Sequence, residues 1–396
     1  MVELNLHGGR GIVEEAVEFF IKNGARLAQN GEFTKRAFLN GRLDLSAAEG
    51  VLNLINSQTS KQAAHAFKLH DGVLKGQIDD LKEKLLEIIA ALSAAVDYPE
   101  EDIEQETIGQ TKNQIEQIFG ILQRLEDSYK NGKLIKDGVS IAIIGDVNVG
   151  KSQLINALTR SEAAIVSDIA GTTRDIVKDF YNYQGYKFVV FDCAGIRKTS
   201  QKIERIGIER AKKAAMEADI VLVVFERECG VFSGEIEEIV EKRKDNIIFV
   251  QNKVDLDKSF RKRALEIDCG GGKGKDGQDY FCQNLESFDQ NNASNPIKIS
   301  ALKDINVEFL KEQILKKSQV DNFGDQDVIL TESRHYELVL GAKIAIKNSL
   351  DLLFCSTIDL ILSDLNTAFF NLCQITGASA TDDIIDSIFS KFCVGK

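Results

Sequence analysis

The apolar positions of this chain change period twice. From about 46 to 130 they recur at helical spacing, as in Leu81, Leu85, Ile88, Ile89 and Leu92 and again in Ile115, Ile118, Ile121, Leu122 and Leu125. The stretch Asp97–Asp102, which contains Pro99, separates two long helices there. At about 138 the pattern shortens to apolar runs of strand length: VSIAIIG, KFVVFD, DIVLVVF, NIIFVQN and IKIS. Helical stretches lie between them, notably Ile206–Glu217 and Gly234–Lys244. Strands alternating with helices imply βαβ units and a parallel sheet, here over 138–317. The helical period returns from about 328, in Tyr336–Asn348, an interrupted Leu350–Thr376 and Asp382–Phe389. At the other end, residues 1–45 read as a strand at Val2–Leu6, a glycine turn, a helix at Ile12–Lys22 and a polar loop through Gly31.

This order predicts an α/β domain inserted in an α-helical one, behind a partial α+β N-terminal domain. The boundaries are 1–45, 46–137 for the first helical segment, 138–317 for the α/β domain and 318–396 for the second helical segment. Each helical segment alone has an apolar face with nothing to cover it, so the two are expected to pack together. Residues 257–296 are rich in Gly, Lys, Asn, Gln and Asp and lack periodicity, which reads as a surface insertion outside the core. With 396 residues, 43% of them hydrophobic, the chain can bury a core in each of two or three domains. Its 49 Lys+Arg against 61 Asp+Glu give a net charge of −12, which argues against a generic phosphate-backbone binder. Seven cysteines without a CxxC pair read as reduced thiols of a cytosolic protein. No apolar run reaches membrane-spanning length, and MVELNLHGGRG is no signal peptide.

The chemistry gathers at the strand ends. Gly145-Asp146-Val147-Asn148-Val149-Gly150-Lys151-Ser152 follows a strand and opens a helix, the context a phosphate-binding P-loop requires. Its amides would wrap the phosphates, the helix N-terminus would add positive potential, Lys151 would reach the β- and γ-phosphates and Ser152 would bind Mg²⁺. Asp192-Cys193-Ala194-Gly195 ends KFVVFD, placing Asp192 towards the metal shell and the Gly195 amide towards the γ-phosphate. Asn252-Lys253-Val254-Asp255 ends NIIFVQ. The Asp255 carboxylate can accept from guanine N1–H and N2–H₂, a donor pair adenine lacks, so it selects GTP or GDP. Ser300-Ala301 ends IKIS, where an amide can meet guanine O6. Thr173, in Gly171-Thr172-Thr173-Arg174-Asp175, reads as a switch threonine for Mg²⁺ and the γ-phosphate. A solvated carboxylate or an ordinary turn is the plain alternative for each motif; four in this order at strand ends favour a GTPase domain.

On these residues the chain resembles the bacterial tRNA-modification GTPases of the MnmE (TrmE) family. DIAGTTRD (168–175) belongs to the wider group that includes Era- and EngA-like GTPases, and RIGIERA (205–211) is more restrictive. The end, Phe392-Cys393-Val394-Gly395-Lys396, is similar to the family's terminal signature. HGG (7–9), GEFTKRAFLNGRLDLSAAEG (31–50) and ITGASATDDIIDSIFSKFC (375–393) extend the resemblance to all but 257–296.

The resemblance implies a folate-binding, dimerising N-terminal domain and a K⁺-activated GTPase whose G domains pair. It also implies work with the FAD-dependent partner MnmG on C5 of the tRNA wobble uridine, with 5-formyl- or methylene-tetrahydrofolate as the one-carbon source. The nucleotide contacts would come from Asn148, Val149, Gly150, Lys151, Ser152 and Gln153, from Ser167, Asp168, Ile169, Ala170, Gly171, Thr172 and Thr173, and from the strand-end motifs. The K⁺ ligands would be Asn148, Ser167, Thr172 and the Ile169 carbonyl, with Ser152 and Thr173 on Mg²⁺. Ile196 stands where other GTPases carry a water-positioning Gln, so the catalytic group would be Glu204, assisted by Lys151 and Thr173. Without the resemblance, Glu204 reads as an exposed acid at a helix start. Glu3, Arg42 and Lys396 match the folate contacts, with Arg42 in place of the usual Lys. Cys393, near a helix end, reads first as a buried packing residue, although in the family it lies near the one-carbon site.

Three departures matter. The family pattern extends roughly seventy residues before Val2, so GTP binding is expected to persist while folate binding and constitutive dimerisation weaken. Val2–Leu6 would then be an exposed edge strand. Cys193 replaces a usual Thr, and Asp146 a neutral or basic residue. Two other readings stay open: an Era- or EngA-like ribosome-assembly GTPase, for which no KH-type GXXG unit is found, and a GTP-binding module without tRNA chemistry.

Overall fold

A computed structural model describes residues 2–97, 105–146, 148–160, 178–192, 212–226, 234–256, 296–320, 328–353 and 358–395. They divide into two compact units. One contains residues 1–57, 63–127 and 333–396; the other contains 58–62 and 128–332. The break expected at Pro99 and most of the 257–296 insertion lie outside the described residues.

The first unit is helical. It begins with α1 (Arg10–Lys22), α2 (Glu32–Leu39) and α3 (Leu45–Asn56). Asp44 caps α3 by accepting from Ala47 N at 3.0 Å. The next three helices are α4 (Ser60–His70), α5 (Val73–Asp97) and α6 (Gln105–Asp137). Along α5, Leu74, Ile78, Leu81, Leu85, Ile88 and Leu92 are buried at alternating spacings of four and three. In α6, Ile115, Ile118, Leu122 and Leu125 do the same, while Ile89 and Ile121 sit at the margins of their stripes. The late helices α10 (Ser333–Leu352) and α11 (Ile358–Thr376) pack on each other, and α11 packs on α5. Finally α12 (Asp382–Phe389) buries Ile385, Ile388 and Phe389 with Phe392 against Leu45 and Ala48 of α3. Early and late parts of the chain thus share one core, because neither stripe is covered without the other.

Two expectations change here. Val2–Leu6 is not a strand: it is exposed coil, since a strand needs a hydrogen-bonded neighbour and none pairs with it among the described residues. The polar loop through Gly31 is followed by α2, and the helical stretch read from about 46 to the break at Pro99 holds three helices, α3, α4 and α5, with breaks at Ser57–Thr59 and Asp71–Gly72.

The second unit is built on a sheet in the order β2-β3-β1-β4-β5-β6. Its strands are β1 (Val139–Gly145), β2 (Lys178–Tyr183), β3 (Tyr186–Asp192), β4 (Ile220–Phe225), β5 (Ile247–Gln251) and β6 (Ile297–Lys298). All neighbours are parallel except β2 and β3, an antiparallel hairpin. The hairpin adds β2, which the sequence reading lacked. Period-2 alternation sends Ile141, Ile143, Leu222, Val224 and Val250 to one face, beneath α7 (Lys151–Thr159) and α9 (Val307–Ser318). Ala142, Ile144, Val221, Val223 and Phe249 go to the other, beneath the helical residues 212–217 and α8 (Gly234–Lys242). A sheet buried on both faces explains the near-continuous apolar runs. Connections from β1 lead towards β3 and those from β4 towards β5, so a crevice opens at the carboxyl ends of the central strands.

Candidate functional site

Between Gly145 and Lys151 the chain leaves β1 and turns into α7. Asn148 holds φ +67° and Gly150 φ +94°. A Cβ on Gly150 would lie 2.3 Å from Asn252 Nδ2, so the left-handed turn and the close approach both demand glycine. Gly150 offers no capping side chain, which leaves the leading amides of α7 available to an anion. Lys151 Nζ reaches back across the loop and donates to Gly145 O at 2.7 Å and Asp146 O at 2.6 Å. Ser152 and Gln153 are exposed in the first turn of α7.

A second group closes on this loop from β5 and β6. Asn252 is buried, and its carboxamide works at both ends: Nδ2 donates to Val149 O at 2.9 Å, and Oδ1 accepts from Ala301 N at 3.0 Å. Its backbone amide donates to Phe225 O at the end of β4, at 2.8 Å. Asp255 lies in a 3₁₀ turn, Val254–Leu256, 8% exposed, and accepts from Ser300 Oγ at 2.6 Å. Ser300 is fully buried, so this bond fixes the carboxylate rotamer. A carboxylate has about four acceptor sites, which leaves capacity for two donors from a base. Lys253 takes φ +63° and pairs with Glu226 at 2.8 Å.

The described residues therefore bring Asn148–Gln153, Asn252–Asp255 and Ser300-Ala301 to one end of the sheet. Asp192 closes β3 opposite Ile143 of β1, which puts its backbone beside the loop. Val147, Ser167, Asp168, Ile169, Ala170, Gly171, Thr172, Thr173, Cys193, Ala194, Gly195, Ile196 and Glu204 lie outside the described residues, as does Lys396. In the helical unit Glu3 and Arg42 are both exposed; Arg42 lines an open cavity of about 820 Å³ and Glu3 does not. Asp44, Lys75, Asp79 and Lys82 line it too, a near balance of charge. Cys393 is exposed rather than packed. The neighbouring Phe392 fills the core against Phe389, ring centroids 5.4 Å apart, and turns the thiol outward.

One buried polar cluster had no signal in the sequence. Glu49 of α3 accepts from Arg334 Nε at 3.0 Å and Nη2 at 2.8 Å and meets His335 Nε2 at 2.7 Å. Arg334 also donates to Gln374 O at 2.8 Å and Ile375 O at 3.0 Å. Burial pushes the Glu49 carboxyl up, but the charge and hydrogen bond of His335 and those of Arg334 outweigh it and hold the pKa at about 2. No spacing rule links residues so far apart in the chain.

Comparison with known proteins gives the same picture. Residues 45–393 match the family described as MnmE helical domain, and residues 1–42 match the GTP-binding protein TrmE N-terminus. The tRNA modification GTPase MnmE of Lactococcus lactis subsp. cremoris (strain MG1363) is 38% identical over 400 residues, spanning all of this chain and 82% of that protein. Its counterpart from Caldicellulosiruptor saccharolyticus is 36% identical over 397 residues, again with 82% of its length covered. Among solved structures, Era in complex with MgGDPNP and a segment of 16S ribosomal RNA aligns with 52% of this chain and 66% of its own, at 24% identity and a TM-score of 0.31.

Proposed function

The chain belongs to the MnmE family of tRNA modification GTPases, and on that premise we propose that it is a K⁺-activated GTP hydrolase acting with MnmG on C5 of the tRNA wobble uridine. The observation that carries the nucleotide part of this reading is the pair of hydrogen bonds made by the Asn252 carboxamide, which tie the phosphate loop to the segment that would read the base. In it, Asp255 accepts from guanine N1–H and N2–H₂ while Ser300 holds the carboxylate still. Lys151 exchanges its two carbonyl partners for β- and γ-phosphate oxygens.

The side chains on offer suit the ions. Asn148 and Ser152 present oxygen donors, the set that hard cations such as Mg²⁺ and K⁺ take. Ser152 and Thr173 would hold Mg²⁺, and Asn148, Ser167, Thr172 and the Ile169 carbonyl would hold K⁺; bound there, the cations would supply positive charge to the phosphates. Glu204 orients the attacking water, a task the apolar Ile196 cannot perform. Glu3, Arg42 and Lys396 are the positions that would contact a tetrahydrofolate, in a site weaker than the family's. G domains of two copies pair across their nucleotides, and tRNA as substrate places this work in the cytoplasm.

Steady-state GTP hydrolysis in K⁺ and in Na⁺ at equal ionic strength tests the proposal. At least a tenfold higher rate in K⁺ is expected, and Glu204→Ala should abolish the gain. Equal rates would remove the K⁺ ligands from the account. Wobble nucleoside analysis in a deletion strain tests the tRNA product separately.

A further inference from the structure

The β2–β3 hairpin lies, in the chain, between the segment that carries Thr173 and the motif that begins at Asp192. Its tip does not end in solvent. It lands on residues 58–62, a short stretch that the chain lends to the nucleotide-binding unit between helical residues 1–57 and 63–127. Asn182 Nδ2 donates to Gln58 O at 3.2 Å, and Lys61 N donates to Gly185 O at 3.4 Å. Lys61 Nζ sits 5.8 Å over the Tyr186 ring. Gly185, at φ +83°, approaches so closely that a Cβ would lie 2.7 Å from Ser60 Oγ.

Residues 58–62 are also the N-terminal cap of α4. Thr59 Oγ1 accepts from Gln62 N at 3.2 Å, and Gln62 Oε1 accepts from Gln58 N at 2.8 Å, a capping-box arrangement shifted by one residue. Gln62 Nε2 then donates to Lys136 O in the last turn of α6, at 2.7 Å. The tip thus holds the groups that start one helix and, through Gln62, touches the end of another.

The hairpin is paired along its length. Six residue pairs run from Lys178–Phe191 to Tyr183–Tyr186, and Tyr181 stacks on Phe188 with centroids 5.1 Å apart and an interplanar angle of 13°. Asn182 Oδ1 at this contact is buried and has no hydrogen-bond partner among the described residues, so the Asn182–Gln58 bond is that side chain's tie to the cap.

We propose that the β2–β3 hairpin is a relay that reports the nucleotide state to the helical unit by loading or releasing the capping box of α4. The inference rests on the GTPase reading. A shift at the Asp192 end moves the strand pair as a body, the Asn182–Gln58 bond and the Gly185 approach change register, and the α4 cap tightens or frays. Covalent continuity through Ser57 and Ala63 carries the change onward. Asn182 and Gln62 are positioning residues in this scheme and touch no nucleotide.

Hydrogen exchange on the full chain, with Mg²⁺ and K⁺ and either GDP or GDPNP, tests it. Peptides covering 57–64 should exchange at rates differing at least threefold between the two states. In Asn182→Ala and, separately, in Gln62→Ala, that difference should vanish while GDP affinity stays within twofold of the parent. Peptides over 145–155 serve as the internal check, since nucleotide must protect them. Identical exchange at 57–64 in both states, with 145–155 protected, overturns the relay and leaves the GTPase reading intact. Loss of protection at 145–155 as well brings down that reading and the relay with it. A state-dependent difference that survives in both variants also overturns it, because the signal would then travel by another route.

Discussion

Asn252 has both ends of its carboxamide committed, to Val149 O and Ala301 N, and it is almost wholly buried. Replacing it by Ala strands two buried backbone groups, each costing about 1–3 kcal/mol. Asn252→Ala should therefore raise the GDP dissociation constant by roughly ten- to a hundredfold, measured by titration with a fluorescent GDP. Ser300→Ala removes the bond that aims Asp255 and the longer one that Ser300 Oγ accepts from Lys303 N at 3.3 Å, and should cost about tenfold. The sequence motif named Asn252 and Asp255 because strand-end position and residue type suffice for that. The Ser300–Asp255 bond was not legible, since it joins two loops that meet only when β5 and β6 pair.

At the scale of elements, two features separate what was legible from what was not. The β1–loop–α7 unit was readable because its glycine is dictated locally: Gly150→Ala meets both a positive φ and Asn252, and should abolish measurable GDP binding while leaving the far-ultraviolet circular dichroism unchanged. The buried stripes of α5, α6 and α11 were readable from their spacing. The strand at Val2–Leu6 was misread because alternation alone does not supply a pairing neighbour. The β2 strand was missed although its signal was present, in the Gln184-Gly185 turn with both residues at positive φ between alternating segments. The α4 start was likewise written in Thr59-Ser60-Lys61-Gln62, the S/T-x-x-E/Q pattern.

At the scale of the whole molecule, the helical unit depends on joining segments far apart in the chain, and the Glu49–Arg334–His335 cluster does this with buried charge. Arg334→Ala takes two hydrogen bonds from the buried Glu49 carboxylate, leaves it His335 alone, and should destabilise that unit by about 3–5 kcal/mol, read from urea denaturation. Because the Glu49 pKa is lowered from 4.5 to about 2, its contribution is complete above pH 4.5 and is lost as the pH falls towards 2. Denaturation midpoints should drop through that window, and the drop should be smaller in Glu49→Gln. The proposed function rests, at this scale, on a guanine nucleotide held between the loop before Lys151 and the carboxylate of Asp255. Competition for bound fluorescent GDP measures this most directly, with unlabelled GDP, XDP and ADP set against the parent chain and Asp255→Asn. The parent should release its label to GDP and not to ADP, and Asp255→Asn should lose GDP and gain XDP, whose O2 accepts from the new amide. ADP displacing the label as well as GDP does, or an unchanged preference in Asp255→Asn, would contradict the account.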